Sequence, residues 1–276
     1  MQPSDVSAVV CTMNSIASIE PCLVSLREAD VGEIIVVDAS SRDGTREVAD
    51  RLASRVLEDP GTGLGQARNL GIAATTGFLV LNMGSDNLIT AEVLQRLIRT
   101  LERGGHAGVS AMTEVVGDDY LARSLGLWRR TRFLPGVVGV IGTPTLFRGD
   151  ALRADPFDPS REHSDDAELC ERWTAKYGAT FAIADATVQE MGKTRWGELR
   201  LRCRNYGISD FEVFESGRRG GWDASRRLKS LAHPLRVDLL TPLARARVME
   251  GLAALPFLAA VTGMRYWYWG KRAIGR

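Results

Sequence analysis

Short apolar, β-branched runs alternate with helix-period segments over the N-terminal part of the chain. Val6 to Cys11 predicts a first strand; after the turn Thr12-Met13-Asn14, residues Ile16, Ile19, Leu23 and Leu26 recur at helical spacing. Glu33 to Val37 (EIIVV) predicts a second strand with Asp38 at its end. Ser40, Ser41, Asp43 and Gly44 then form a turn and cap ahead of a helix from Thr45 to Leu52. A short strand is expected at Arg55 to Leu57 and a third helix from Gly65 to Ala74. The chain is organised around Phe78 to Asn87 (FLVLNMGSDN), where four apolar residues between Gly77 and Gly84 predict a buried parallel strand whose turn carries Asp86. Val93, Leu94, Leu97, Ile98 and Leu101 give the next helix its apolar face. Strand feeding helix feeding strand predicts an α/β fold with right-handed crossovers, and such sheets bind ligands beyond the carboxyl ends of their strands. Asp86 therefore stands either at the mouth of a site or as the cap of the following helix.

After Arg103 the pattern loosens. Ala107 to Val116 predicts a strand, and Gly136 to Phe147 (GVVGVIGTPTLF) mixes glycine with β-branched residues, as where backbone approaches something closely. Between them, Tyr120 to Phe133 is basic and amphipathic, and its Arg129, Arg130 and Arg132 suit either an anionic acceptor or a solvated face. A helix from Ala167 to Tyr177 is entered through Ser164-Asp165-Asp166, and Phe181 to Ala184 predicts another strand. From Trp196 the chain reads as helical and Arg-rich. Thr241-Pro242 marks a helix start, beyond which Val248, Met249, Leu252 and Leu255 share one face. The longest apolar stretch, Leu252 to Gly263, contains Pro256 and is too short to span a bilayer.

Composition adds little until charge is followed along the chain. With 276 residues, 45% hydrophobic and 25% charged, the chain suits one large or two small globular domains. The net charge of +1 hides 18 Lys+Arg against 27 Asp+Glu in residues 1–192, and 17 against 7 in residues 193–276. That asymmetry divides the chain into an acidic domain, 1–192, and a basic helical region, 193–276. The basic region ends in Arg265-Tyr266-Trp267-Tyr268-Trp269-Gly270-Lys271-Arg272, which suits a bilayer interface with anionic lipid or, alternatively, a core helix pair with a basic rim. Cys11, Cys22, Cys170 and Cys203 lack metal or disulfide spacing, which fits a reducing cytosol. No basic stretch precedes the first apolar run, so no signal peptide is expected.

Two motifs carry candidate chemistry on their own. Asp38, at a strand end, suits a base or ribose contact or a plain turn. GTGLGQARN (Gly61 to Asn69) fails the dinucleotide fingerprint, because Arg68 or Gln66 takes its last position depending on frame and Glu58-Asp59-Pro60 precedes it. It reads instead as a glycine loop leading into a helix, with Arg68 available to phosphate.

Taken together, the motifs resemble a known family. Val9 to Asn14, EIIVVDASSRDGT (Glu33 to Thr45), GLGQARNLGIAATTGFLVLNMGSDN (Gly63 to Asn87) and SDDAELCERW (Ser164 to Trp173) occur in the order of family 2 glycosyltransferases with the GT-A fold. The resemblance implies a Rossmann-like mixed sheet flanked by helices, and an inverting hexosyltransferase that uses a nucleotide-diphosphate sugar and a divalent metal, Mg²⁺ or Mn²⁺. It fades after residue 195, where the helical extension begins. Carried over by position, Thr12, Asn14, Asp38, Arg68 and Ser85 would bind the nucleotide. Asp86 would be the last carboxylate of Asp-x-Asp, and Asp166 the base that activates the acceptor hydroxyl. Adjacent Asp165 would point about 100° away on a helix, so only one of the two can serve. Gly84 stands where the first Asp of Asp-x-Asp is expected, Ala39 replaces a frequent second Asp, and Glu190 sits where a metal-binding His is frequent. Asp86 with Glu190 would still supply two hard oxygen ligands.

These features predict a glycosyltransferase on the inner face of the plasma membrane, extending a lipid-linked or cell-envelope glycan, with no nucleic-acid partner. A degenerate homologue that binds nucleotide sugar without turnover is the alternative, supported by Gly84. A nucleotidyltransferase is disfavoured, because no Gly-rich phosphate loop with a basic residue follows the first strand.

Overall fold

The computed structural model describes residues 1–59, 61, 63–159, 165–191 and 195–275. They form two compact units, Met1–Glu114 with Leu134–Met191, and Val115–Phe133 with Gly192–Arg276. The basic segment around Trp128 falls in the second unit, with the helical C-terminal region.

In the first unit, β1 (Val6–Thr12), α1 (Ile16–Glu28), β2 (Glu33–Asp38), α2 (Thr45–Leu52), β3 (Arg55–Glu58), α3 (Leu64–Ala73) and β4 (Leu79–Gly84) alternate as the hydrophobic pattern predicts. After β5 (Asn87–Leu88) and α4 (Ala91–Gly104) comes β6 (Gly108–Val115), and α5 (Tyr120–Arg132) then enters the second unit. The first unit resumes with β7 (Gly136–Val138), β8 (Thr145–Arg148), α6 (Gly149–Ala154), α7 (Asp165–Tyr177) and β9 (Phe181–Glu190). The sheet order is β3-β2-β1-β4-β8-β6-β9-β5, with β7 on β9. β1 pairs parallel with β2 and β4, whereas β8 runs antiparallel to β4 and β6, so the sheet is mixed.

Period-two patterning places two cores on the two sheet faces. Val6, Ala8, Val10, Leu79 and Leu81 meet the apolar stripes of α1, α2 and α4, while Val9, Val37 and Val80 meet α3, α6 and α7. Three expectations shift. Phe78 is exposed and the strand starts at Leu79. The glycine-rich stretch 136–147 is two strands with a loop between them. The strand expected at Phe181 to Ala184 continues to Glu190, its outward positions taken by Asp185, Thr187 and Gln189. Polar residues at every second place are what a strand with one solvated face requires.

The second unit is helical: α5, α8 (Trp196–Arg219), α9 (Ala224–Leu231), a π-helical turn at Leu235–Leu240, α10 (Thr241–Arg245) and α11 (Val248–Ile274). Leu125, Trp128, Leu199, Cys203, Phe257 and Leu258 lie in its core. α8 and α11 touch backbone to backbone at Gly207, where a Cβ would lie 2.4 Å from the Arg265 carbonyl oxygen. α11 runs unbroken through Pro256, so the apolar stretch that looked too short is part of a 27-residue helix, long and apolar enough to cross a membrane by length and composition.

Within this unit Arg130 and Arg132 of α5 and Arg265 of the tail form internal ion pairs. Arg265 donates Nε and Nη2 to both Asp210 oxygens (2.5 and 2.8 Å) and Nη1 to Asp238 Oδ2 (2.7 Å). Asp238 Oδ1 accepts from Trp128 Nε1 and Arg132 Nη1, and Arg132 lies over the Trp128 ring. Arg130 pairs with Glu250. Arg132 therefore serves the helix core rather than an anionic acceptor.

Candidate functional site

The site residues of the first unit gather beyond the carboxyl ends of β1, β2 and β4, where the register sets Thr12 beside Asp38 and Cys11 beside Gly84. Two loops there are tied to each other. Asp38 is fully buried and accepts from Ser41 twice, backbone N to Oδ2 (3.0 Å) and Oγ to Oδ1 (2.6 Å). Asn14, at φ 49°, accepts the Arg42 backbone N–H at Oδ1 (2.9 Å) and donates its own N–H to Ser41 Oγ (2.8 Å). Ser15 donates to Thr45 Oγ1, and Ser85 Oγ donates to Ser15 Oγ at 3.1 Å. The Asp38 carboxylate thus holds its own turn, the alternative the sequence left open, and positions the loop. The Thr12 hydroxyl is buried with no hydrogen-bond partner among the described residues.

Arg68 forms the centre. It lies in the first turns of α3, buried, with its guanidinium stacked over Phe157 at 5.3 Å. Nη1 donates to Asp165 Oδ2 (2.5 Å) and to Asp166 Oδ1 (3.0 Å), and Nη2 donates to Thr143 Oγ1 (2.8 Å). Two neighbouring carboxylates that helical geometry should splay apart therefore converge on one cation at the start of α7. Arg68 is thus the counter-ion of both acids in this structure. The expected helix entry at Ser164 lies outside the described residues.

Burial pushes the Asp166 carboxyl up to about 6, opposed by Arg68 and reinforced by Asp165. A carboxylate there is poised near neutral pH, as a general base should be. The Cys11 thiol, on the neighbouring strand end, is pushed by burial to about 12 against the pull of Arg68 and stays protonated. Thr143 and Phe157 were missed from sequence; they are distant from Arg68 along the chain, and no local signal marks them.

Asp86 is not the cap of α4: that role falls to Thr90, whose side chain accepts from the Val93 N–H at 3.3 Å. Asp86 and Glu190 are both buried and are brought to adjacent rungs. Asn87 pairs with Glu190 across β5 and β9, and the Asp86 carbonyl accepts from the Met191 N–H at 2.7 Å. No cluster of three or more metal-ligating side chains occurs among the described residues. Asp86, in the turn before β5, and Glu190, at the end of β9, are buried hard oxygen donors, two where a divalent cation takes about six oxygens. Gly84 has a local reason: a Cβ there would meet Asp86 Oδ1 at 2.8 Å and Asn87 Oδ1 at 2.9 Å, and its N–H donates to that same Asn87 oxygen.

Comparison with known proteins bears on what this geometry serves. The family model described as glycosyl transferase family 2 matches residues 7–154. A putative glycosyltransferase EpsH of Bacillus subtilis (strain 168) is 32% identical over 107 residues, 36% of this chain; the match spans 31% of that relative's length. The fold is similar to that of the mannosyltransferase PcManGT from Pyrobaculum calidifontis, solved with GDP-Man and Mn²⁺. That similarity has TM-score 0.65 and 20% identity, over 99% of this chain and 87% of that one. It is also similar to S. aureus TarS 1-349 with UDP-GlcNAc, at TM-score 0.57 and 14% identity over 100% and 93% of the two chains.

Proposed function

Because the chain belongs to glycosyl transferase family 2, we propose that it is an inverting hexosyltransferase moving a sugar from a nucleotide-diphosphate donor to a hydroxyl of a lipid-linked or cell-envelope glycan. The observation that carries the reading is the Arg68-held pair, Asp165 and Asp166, at the mouth of a mixed α/β sheet. Asp166 takes the proton from the acceptor hydroxyl. The freed oxygen lone pair attacks the anomeric carbon from the face opposite the diphosphate, and the bond to the diphosphate oxygen breaks with its electrons leaving on the nucleotide, inverting that carbon. Arg68 holds Asp165 in an ion pair and limits how far Asp166 is raised. The knitted loops at Asn14, Asp38 and Ser41, with Thr12 and Ser85 beside them, shape the nucleoside end. Asp86 and Glu190 would hold Mg²⁺ or Mn²⁺, which supplies neutralisation of charge on the leaving diphosphate. The basic second unit supports a peripheral position on the cytoplasmic face of a membrane.

The test is a donor screen followed by turnover. Thermal stabilisation by UDP-, GDP- or dTDP-sugars, with and without Mn²⁺, names the donor class, since a ligand bound only by the folded chain raises its melting temperature. Asp166→Asn should retain the shift and lose transfer. Absence of any shift would sink the reading. One observation favours the alternative of a donor-binding homologue without turnover: Arg68 holds both carboxylates. Donor binding by the wild type with no sugar released or transferred would establish it.

A further inference from the structure

The tail that looked interfacial in sequence is mostly spent inside the second unit. Tyr266 donates its hydroxyl to the Leu231 carbonyl (2.7 Å), Tyr268 accepts from Arg200 Nε (2.9 Å), Trp269 packs edge-on against Phe211 and Phe214, and Arg265 is buried in its ion pairs. What the structure leaves uncovered lies upstream on the same helix. Val248, Met249, Leu252 and Leu255, the face the sequence marks as apolar, are 77%, 76%, 58% and 40% exposed, and Trp267 continues that face at 62%. The opposite face, with Phe257, Leu258 and Val261, fills the core. Between Arg247 and Arg265 the helix carries one charge, Glu250, which points away and is paired with Arg130. An apolar helix with one face in the core requires a second apolar environment for the other.

We propose that this outward face of α11 lies in the plane of an anionic phospholipid bilayer and seats the protein on it. Charge complementarity selects lipid as the occupant. Arg247 precedes the face. Exposed Arg226, Arg227 and Lys229 lie on α9, whose final residue, Leu231, is bonded to Tyr266, and Leu228 adds an exposed apolar side chain there. Residues 193–276 carry 17 Lys+Arg against 7 Asp+Glu, so a second copy docked on this face would bring like charges together. An in-plane seat also follows from the charges on neighbouring helices: spanning would either strip Arg265 from Asp210 and Asp238 or carry that cluster, with Arg200 and Arg202 of α8 beside it, into hydrocarbon.

The inference rests on the membrane part of the function proposed above. Vesicle flotation without donor tests this surface, and donor-induced stabilisation tests the transfer chemistry, so either fails visibly without the other. The full chain should float with phosphatidylcholine–phosphatidylglycerol vesicles and less with phosphatidylcholine alone. The double variant Leu252→Glu/Leu255→Glu should partition roughly a hundredfold more weakly, the loss expected for two leucine side chains kept out of lipid. Val248→Glu/Met249→Glu, at the most exposed positions, gives the same readout should the first pair disturb packing. Arg247→Glu should reduce the preference for phosphatidylglycerol. A wild type that stays unbound in both vesicle types overturns the proposal, as do glutamate variants that float like wild type. A lipid-free dimer dissolved by these variants, with no flotation, would assign the face to self-association instead.

Discussion

Each unit holds a buried arginine shared between two carboxylates, and the two clusters differ in what surrounds them. In the second unit Arg265 serves Asp210 and Asp238, and Asp238, with no exposed surface, also accepts from Trp128 and Arg132, so every oxygen of the pair is taken by helices it joins. In the first unit Arg68 serves Asp165 and Asp166 from the edge of the sheet, where Asp166 keeps 23% of its side chain exposed and its second oxygen is given no partner by Arg68. Saturation makes the Arg265 cluster a staple of the second unit, whereas the Arg68 cluster keeps one partly exposed carboxylate. Identical chemistry thus gives two clusters that differ in how many hydrogen bonds remain to be made.

The comparison breaks or holds on substitutions. Asp238→Ala should cost about 3–5 kcal/mol in urea unfolding, because it strands buried Arg132 and removes half the counter-charge of Arg265; a wild-type denaturation midpoint would remove the distinction. Asp166→Asn should lower the transfer rate by about 10²–10⁴-fold while the donor shift persists. With Asp166 raised to about 6, the wild-type rate should climb tenfold per pH unit below that value and level off above it. In stability the sign is opposite: the folded chain holds that proton more tightly, so this group's contribution is present below about pH 4 and is lost as pH rises through about 6. Arg68→Ala should move the rate profile upward in pH, since it removes the cation that lowers the Asp166 value, and the profile is read directly from initial rates. The smallest effect is expected of Gly84→Ala, roughly 1 kcal/mol in thermal unfolding with weaker Mn²⁺-dependent donor binding, because the atoms it crowds are side-chain ends that can shift.

By itself, the sequence determined the alternating βα order, the two-sided burial of the central strands and the motif order that places the chain in its family. All of these rest on short-range periodicity and on turn residues within a few positions of one another. It also offered Asp166, Asp86 and Glu190 as candidates and marked the apolar face Val248 to Leu255. Tertiary structure alone decided which groups those residues meet. Arg68 and Asp165 are 97 positions apart, Trp128 and Asp238 are 110 apart, and nothing local in either segment encodes the partner. The same limit explains α5, whose basic amphipathic pattern suits solvent, acceptor or core equally until α8 and α11 pack beside it. It explains the tail as well: aromatics interleaved with cations satisfy a bilayer or a helix interface by the same contacts, and only packing shows that Tyr266, Tyr268 and Trp269 are spent while the face beginning at Val248 is not. Periodicity tells which side of an element is apolar; what covers that side is a property of elements far along the chain.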